Sequence, residues 1–110
     1  MINAMRFSFW IILAFLMVIS PCKAADLMTV GELYAKCTSR NYNGIDHTFC
    51  AGYALGSVYN APAQVCMNGN VMAGAVVQVF INWAQFHPER WADSAGSGME
   101  NAMISAWPCR

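Results

Sequence analysis

Apolar residues recur every three or four positions along most of the chain, the period of helices with one buried face. Val30, Leu33, Tyr34 and Cys37 share such a face. Thr29, followed by Glu32 three residues on, makes a capping box, in which each side chain satisfies a backbone N–H of the other. The spacing predicts a first helix over Val30 to Cys37, and Asn41, Asn43 and Gly44 then mark a loop. A second helix is predicted from Asp46, a good N-cap, to about Asn60, with Phe49, Cys50, Tyr53 and Val58 inward. Gly52 and Gly56 fall on one face of it. Glycine costs about 1 kcal/mol per helix-interior position, so the pair is expected to admit a neighbouring helix closely.

Pro62 and Asn68-Gly69-Asn70 bracket the next loop. The third helix is the clearest: from Val71 to Phe86, Met72, Ala75, Val76, Val79, Phe80 and Trp83 keep the period, with Gln78, Asn82 and Gln85 opposite. Pro88 ends it, because the residue before a proline avoids helical angles. A fourth helix over Ala92 to Ala106 carries Ala95, Met99, Ala102, Met103 and Ala106 on one face, and Gly96 and Gly98 soften its start. The pattern predicts an all-α fold, a small disulfide-stapled bundle of four or so helices in up-down order.

The first residues read differently. Arg6 precedes an unbroken apolar block, Phe7 to Ile19, which is followed by Ser20, Pro21, Cys22, Lys23 and Ala24. This is the layout of a secretory signal peptide. The block is shorter than the roughly 20 residues a bilayer span needs. Cleavage after Ala24 places small residues, Ala24 and Cys22, at both recognised positions. A retained anchor is the rival reading. A lipid-modified cysteine is disfavoured because Pro21 precedes Cys22. The expected domains are residues 1–24, a signal peptide, and residues 25–110, the mature helical domain.

The full chain has 110 residues, with six bases and six acids; losing Arg6 and Lys23 leaves a net charge of −2 with neutral histidines. The charges are scattered with no basic stripe, which disfavours nucleic acid as a partner. No mature segment is long and apolar enough to span a membrane. A domain of this size buries only about 60–65% of its unfolded surface, so covalent staples would help. Cys37, Cys50, Cys66 and Cys109 remain after cleavage, an even count that reads as two disulfides in an exported chain. Spacing alone permits three connectivities. In an up-down bundle, Cys37 and Cys50 lie at one end and Cys66 and Cys109 at the other, which predicts Cys37–Cys50 and Cys66–Cys109.

Candidate chemistry is sparse. His47 and Cys50 could pair on a helix face as imidazole and thiolate, but a disulfide would remove the nucleophile. His87 at a helix end reads as a cap, and Asp46 as an N-cap. Glu89 and Asp93 read as a solvated pair. Met72, Met99 and Met103 fit the core stripe better than a soft-metal site. Gly52-x-x-x-Gly56 lacks the Lys-Ser/Thr of a phosphate loop. The expectation is no catalysis, no metal and no cofactor.

The ordered marks carry a resemblance. Cys37 closes the first helix, Phe49-Cys50-Ala51-Gly52-Tyr53-Ala54-Leu55-Gly56 follows, Val65-Cys66 lies in a loop, Trp83-x-x-x-His87-Pro88-Glu89 ends the third helix, and Ala106-Trp107-Pro108-Cys109 ends the chain. From about Leu33 to Cys109 the chain resembles the Rap/Tai family of type VI secretion immunity proteins. The resemblance implies a periplasmic, all-helical, non-catalytic protein, commonly a homodimer, that binds and inhibits a cognate peptidoglycan amidase effector. Met67-Asn68-Gly69-Asn70 departs from the family, in which a proline often follows the third cysteine.

Recognition is expected on exposed loops. The candidates are Arg40, Tyr42 and Asn43 in the first loop and Asn68 and Asn70 in the second, with Tyr42 foremost because tyrosine is favoured at binding hot spots. The alternative reading is a small periplasmic stress or acid-responsive chaperone, although two histidines encode no strong switch near neutral pH. A weaker one is an envelope component that assembles through the Gly52/Gly56 face. N-terminal sequencing of the exported protein is expected to begin Ala25-Asp26-Leu27; a chain still starting near Met1 would contradict the cleaved leader.

Overall fold

The computed structural model describes residues 28–41 and 44–110. Among these residues four α-helices form: α1, Val30–Cys37; α2, Ile45–Tyr59; α3, Ala73–Phe86; and α4, Ala95–Ala106, with a 3-10 turn at Pro88–Arg90 before the last. Among the described residues there is no strand, only isolated antiparallel bridges at Thr29–Ser94 and Val65–Pro108. Every pair of helices is in contact. The core takes Leu33 from α1, Cys50 from α2, Phe80 from α3, and Met99 and Met103 from α4, all almost completely buried. Burying each of the large side chains stabilises the fold by roughly 1.5–3 kcal/mol.

α1 begins and ends where the pattern placed it. The Glu32 carboxylate accepts from Thr29 N–H at 2.9 Å, and the Thr29 hydroxyl accepts from Glu32 N–H at 3.2 Å. Two more N–H groups of its first turn, those of Val30 and Gly31, donate to the Asp93 and Trp91 carbonyls at 2.9 and 3.0 Å. Ala95 N–H returns a bond to Met28 O at 2.9 Å. The starts of α1 and α4 are thereby sewn together.

The other helix starts differ from the expected ones. Gly44, not Asp46, is the N-cap of α2. Asp46 lies in the first turn, where its carboxylate meets the Lys36 ammonium at 3.2 Å and so braces α2 against α1. α3 begins at Ala73 with Met72 as its cap, and Met72, expected in the core, is 78% exposed. α4 begins at Ala95, because Ser94 takes the cap and accepts from Ser97 N–H at 3.3 Å. The residues before it are spent on a turn that brings Trp91 back to α3: its indole N–H donates to Ala84 O at 2.8 Å, and its ring lies 5.0 Å from that of Tyr34. His87 caps α3 as expected. Its Nδ1–H donates to Trp83 O at 2.7 Å, since a carbonyl can only accept, and its ring stacks on Trp83.

Within α2, Cys50 and Ala54 are buried, Tyr53 and Val58 are half-buried, and Phe49, expected inward, is 42% exposed. Burial, and secondarily the Glu100 carboxylate, pushes the Tyr53 phenol above its ordinary value of 10.0, so it stays neutral. The two α2 glycines do not admit another helix of this chain. A Cβ at Gly52 or Gly56 would have nothing within 4 Å. Close approach occurs at Gly98, where a Cβ would collide with Val30 Cγ2 and lie 3.3 Å from Trp83 Cζ3. The glycine expected to soften α4 is the one that lets α4 seat on α1.

Gly98→Ala should therefore destabilise the protein by about 1–3 kcal/mol, the cost of overpacking. Gly74→Ala, which points into open space, should be neutral or stabilise by up to about 1 kcal/mol. Urea denaturation of both variants checks this; equal midpoints would contradict the notch.

Candidate partner-binding surface

Two polar loops carry the residues expected to recognise a partner, and each loop is fastened at its base. The first joins α1 to α2. The Cys37–Cys50 disulfide, with Cα atoms 5.2 Å apart, closes it. The Lys36–Asp46 pair and a contact between His47 Nε2 and Ser39 O add two further ties. Gly44 N–H donates to Asn41 O at 2.9 Å, and a Cβ on Gly44 would crowd Asn41 at 3.0 Å. Arg40 stands exposed on this loop. Tyr42 and Asn43 lie outside the described residues.

The second loop joins α2 to α3. Cys66 is bonded to Cys109, with Cα atoms 4.9 Å apart, so the loop and the C-terminal tail share one staple. Backbone bonds run along the junction: Cys66 N–H to Trp107 O at 2.8 Å and Cys109 N–H to Gln64 O at 3.3 Å. Beyond it, Asn68 and Asn70 are exposed on either side of Gly69. The φ of +81° at Gly69 is one that side chains disfavour,. The chain therefore turns at Gly69, between two exposed asparagines. The disulfides are the two expected from an up-down layout. No hydrogen bond or ion pair among the described residues links Arg40 to Asn68 or Asn70, so the two loops stand as separate fixtures.

Two apolar surfaces stand open, and the sequence reading touched only one of them, the Gly52/Gly56 face of α2. Between α3 and α4 lies an open groove of about 290 Å³, lined by Val79, Trp83, Phe86, His87, Ala102 and Ala106 among others. Phe86 on its rim is 79% exposed. Periodicity placed Phe86 at a helix end without saying which way it faces. The second surface is the outer face of α2, where Ile45 is 86%, Leu55 46% and Tyr59 80% exposed. The signal for it was present, since Thr48 to Tyr59 contains no charged residue.

All four described cysteines are oxidised, so Cys50 offers no thiolate to His47. Among the described residues no three His, Cys, Asp or Glu side chains gather as a metal site would need. Nor is any helix long and apolar enough to cross a membrane. Glu89 and Asp93, expected on a solvated face, are exposed and half-exposed, and the Asp93 carboxylate pairs with Arg90 at 2.8 Å. What the surface offers is shape, amide groups and exposed apolar side chains.

Compared with known families, residues 29–109 match the model described as Rap1a immunity proteins. Comparison with curated proteins and with solved structures gave no match.

The staples differ in the length of chain they close, 13 residues of separation against 43. In the chain-entropy account they contribute about 3 and about 4 kcal/mol. Thermal unfolding should therefore show a larger loss for Cys66→Ala/Cys109→Ala than for Cys37→Ala/Cys50→Ala. The reverse order would mean that the first loop depends on its staple for more than chain entropy.

Proposed function

The chain belongs to the Rap1a immunity protein family, and on that premise we propose that it is a periplasmic inhibitor of a type VI secretion effector, a peptidoglycan amidase, which it neutralises by stoichiometric binding. The observation that carries this reading is the family match, which spans almost the whole described domain. The signal-like layout of residues 1–24 supports export, and two disulfides suit an oxidising compartment. The protein does no chemistry in this scheme. It works as a homodimer, as the family resemblance implies.

Association is costly when flexible segments must be ordered. The bases of the two loops are tied down, the first by Cys37–Cys50 and Lys36–Asp46 and the second by Cys66–Cys109, which lowers that cost. Asparagine amides both donate and accept, so Asn43, Asn68 and Asn70 could answer the polar rim of an enzyme cleft, with Arg40 adding charge and Tyr42 the anchoring ring.

Periplasmic co-expression with an amidase effector of the same secretion system should protect cells from lysis, and cytoplasmic expression without residues 1–24 should not. Failure to protect, with the protein exported and folded, would sink the reading. Arg40→Glu and Tyr42→Ala should each weaken effector binding about 10- to 100-fold, in the range of interface anchors, and leave the unfolding midpoint within about 0.5 kcal/mol, as surface changes do. Calorimetric titration and denaturation of the same preparations measure both.

A further inference from the structure

The outer face of α2 lacks a partner within the described chain, and its composition is unusual for a helix facing water. Ile45, Thr48, Phe49, Gly52, Leu55, Gly56 and Tyr59 are all exposed. They follow spacings of three and four, so they share one face. Ile45, Phe49, Leu55 and Tyr59 together present on the order of 500 Å² of mainly apolar side chain, at the upper end of what a monomer's largest patch shows. No charge interrupts the helix after Asp46, which is turned to Lys36.

We propose that this face is the contact between two copies of the chain, with two α2 helices packed antiparallel about a twofold axis at Gly52. The inference deepens the homodimer reading above by naming the surface. Self-complementarity argues for a second copy over an unrelated partner. Gly52 is the middle residue of Ile45–Tyr59, and the exposed positions are balanced about it. Reversing one helix brings Ile45 opposite the partner copy's Tyr59 position. It sets Phe49 opposite the partner copy's Leu55 position and Thr48 opposite its Gly56 position, apolar against apolar and small against small on both sides of the axis. A twofold contact requires this reciprocity, each residue meeting its counterpart twice.

The glycines set the spacing. With no Cβ at Gly52 and Gly56 and nothing within 4 Å of either, a partner helix can approach closer than the usual 8–10 Å between axes. Antiparallel helices also align their dipoles favourably, whereas a parallel pair would bring two Asp46 carboxylates to the same end. Adding Thr48, Ala51 and the two glycines brings each face to about 600–700 Å². That is near the ~800 Å² per partner of a standard interface, and contacts from the neighbouring loops would make up the rest. The one charge beside the face is the Lys36 ammonium, 5.5 Å from the centre of the Phe49 ring and paired with Asp46, so two copies meet with little like-charge repulsion.

The test uses sedimentation of the mature, disulfide-intact protein at tens of micromolar. Wild type should sediment as a dimer, and Gly52→Leu and Gly56→Lys as monomers with unchanged helical circular dichroism, because both side chains enter open space in the single chain. In a mixture, Ile45→Cys and Tyr59→Cys chains should cross-link to each other, and Ile45→Cys should not cross-link to itself. A dimer that survives both glycine variants would overturn this face and leave the homodimer reading standing. A wild-type monomer would overturn both. Efficient self-cross-linking of Ile45→Cys would overturn the antiparallel register. None of these outcomes bears on protection by co-expression, so failure here is separable from failure of the immunity reading.

Discussion

The fold hangs on a close contact between two short helices. Val30, completely buried, sits where a side chain on Gly98 would stand. That contact brings the starts of α1 and α4 near enough for Val30 N–H to reach Asp93 O and for Ala95 N–H to reach Met28 O. Helix starts leave N–H groups without intrahelical partners. Here the two starts answer part of that need through each other's flanking backbone. The junction also fixes the position of Trp91, whose indole satisfies a carbonyl near the end of α3. One missing methyl group thus governs the alignment of three helices.

Much of this was legible in the chain, and what was not has identifiable causes. α1 could be read to the residue because its signal is local: a capping box and a four-position stripe. The staple pairing followed from element order. The starts of α2, α3 and α4 shifted because caps compete. Asp46 is a fair cap in isolation, but Lys36 offers its carboxylate a charged partner. Ser94 won the start of α4 because the preceding residues had to turn Trp91 toward Ala84. Glycine roles were inverted for a similar reason. Spacing says that Gly52 and Gly56 share a face, but which face meets another helix is decided by tertiary packing. Gly98 carries no sequence mark that distinguishes it from Gly96.

The candidate site was less legible than the fold. Arg40, Asn68 and Asn70 are exposed, as loop composition suggested, yet exposure is what polar loop residues share and does not select among them. The groove beside Phe86 went unread, and the Gly52/Gly56 face was read without its exposed Ile45, Leu55 and Tyr59, because periodicity reports that a residue belongs to a stripe and not whether that stripe is covered. Phe86 and the outer face of α2 are both apolar positions left open to water. The separation of the two loops onto different staples gives the molecule two independently anchored polar loops beside two hydrophobic faces.

No polar or charged side chain is buried among the described residues, and both ion pairs are largely open to solvent. Acid denaturation works mostly by neutralising paired carboxylates or by forcing buried bases to take up protons. This core presents neither. Exposed pairs are worth at most about 1 kcal/mol each, so sour surroundings have little to dismantle. Among the described residues, then, acid finds no buried titrating side chain to unseat.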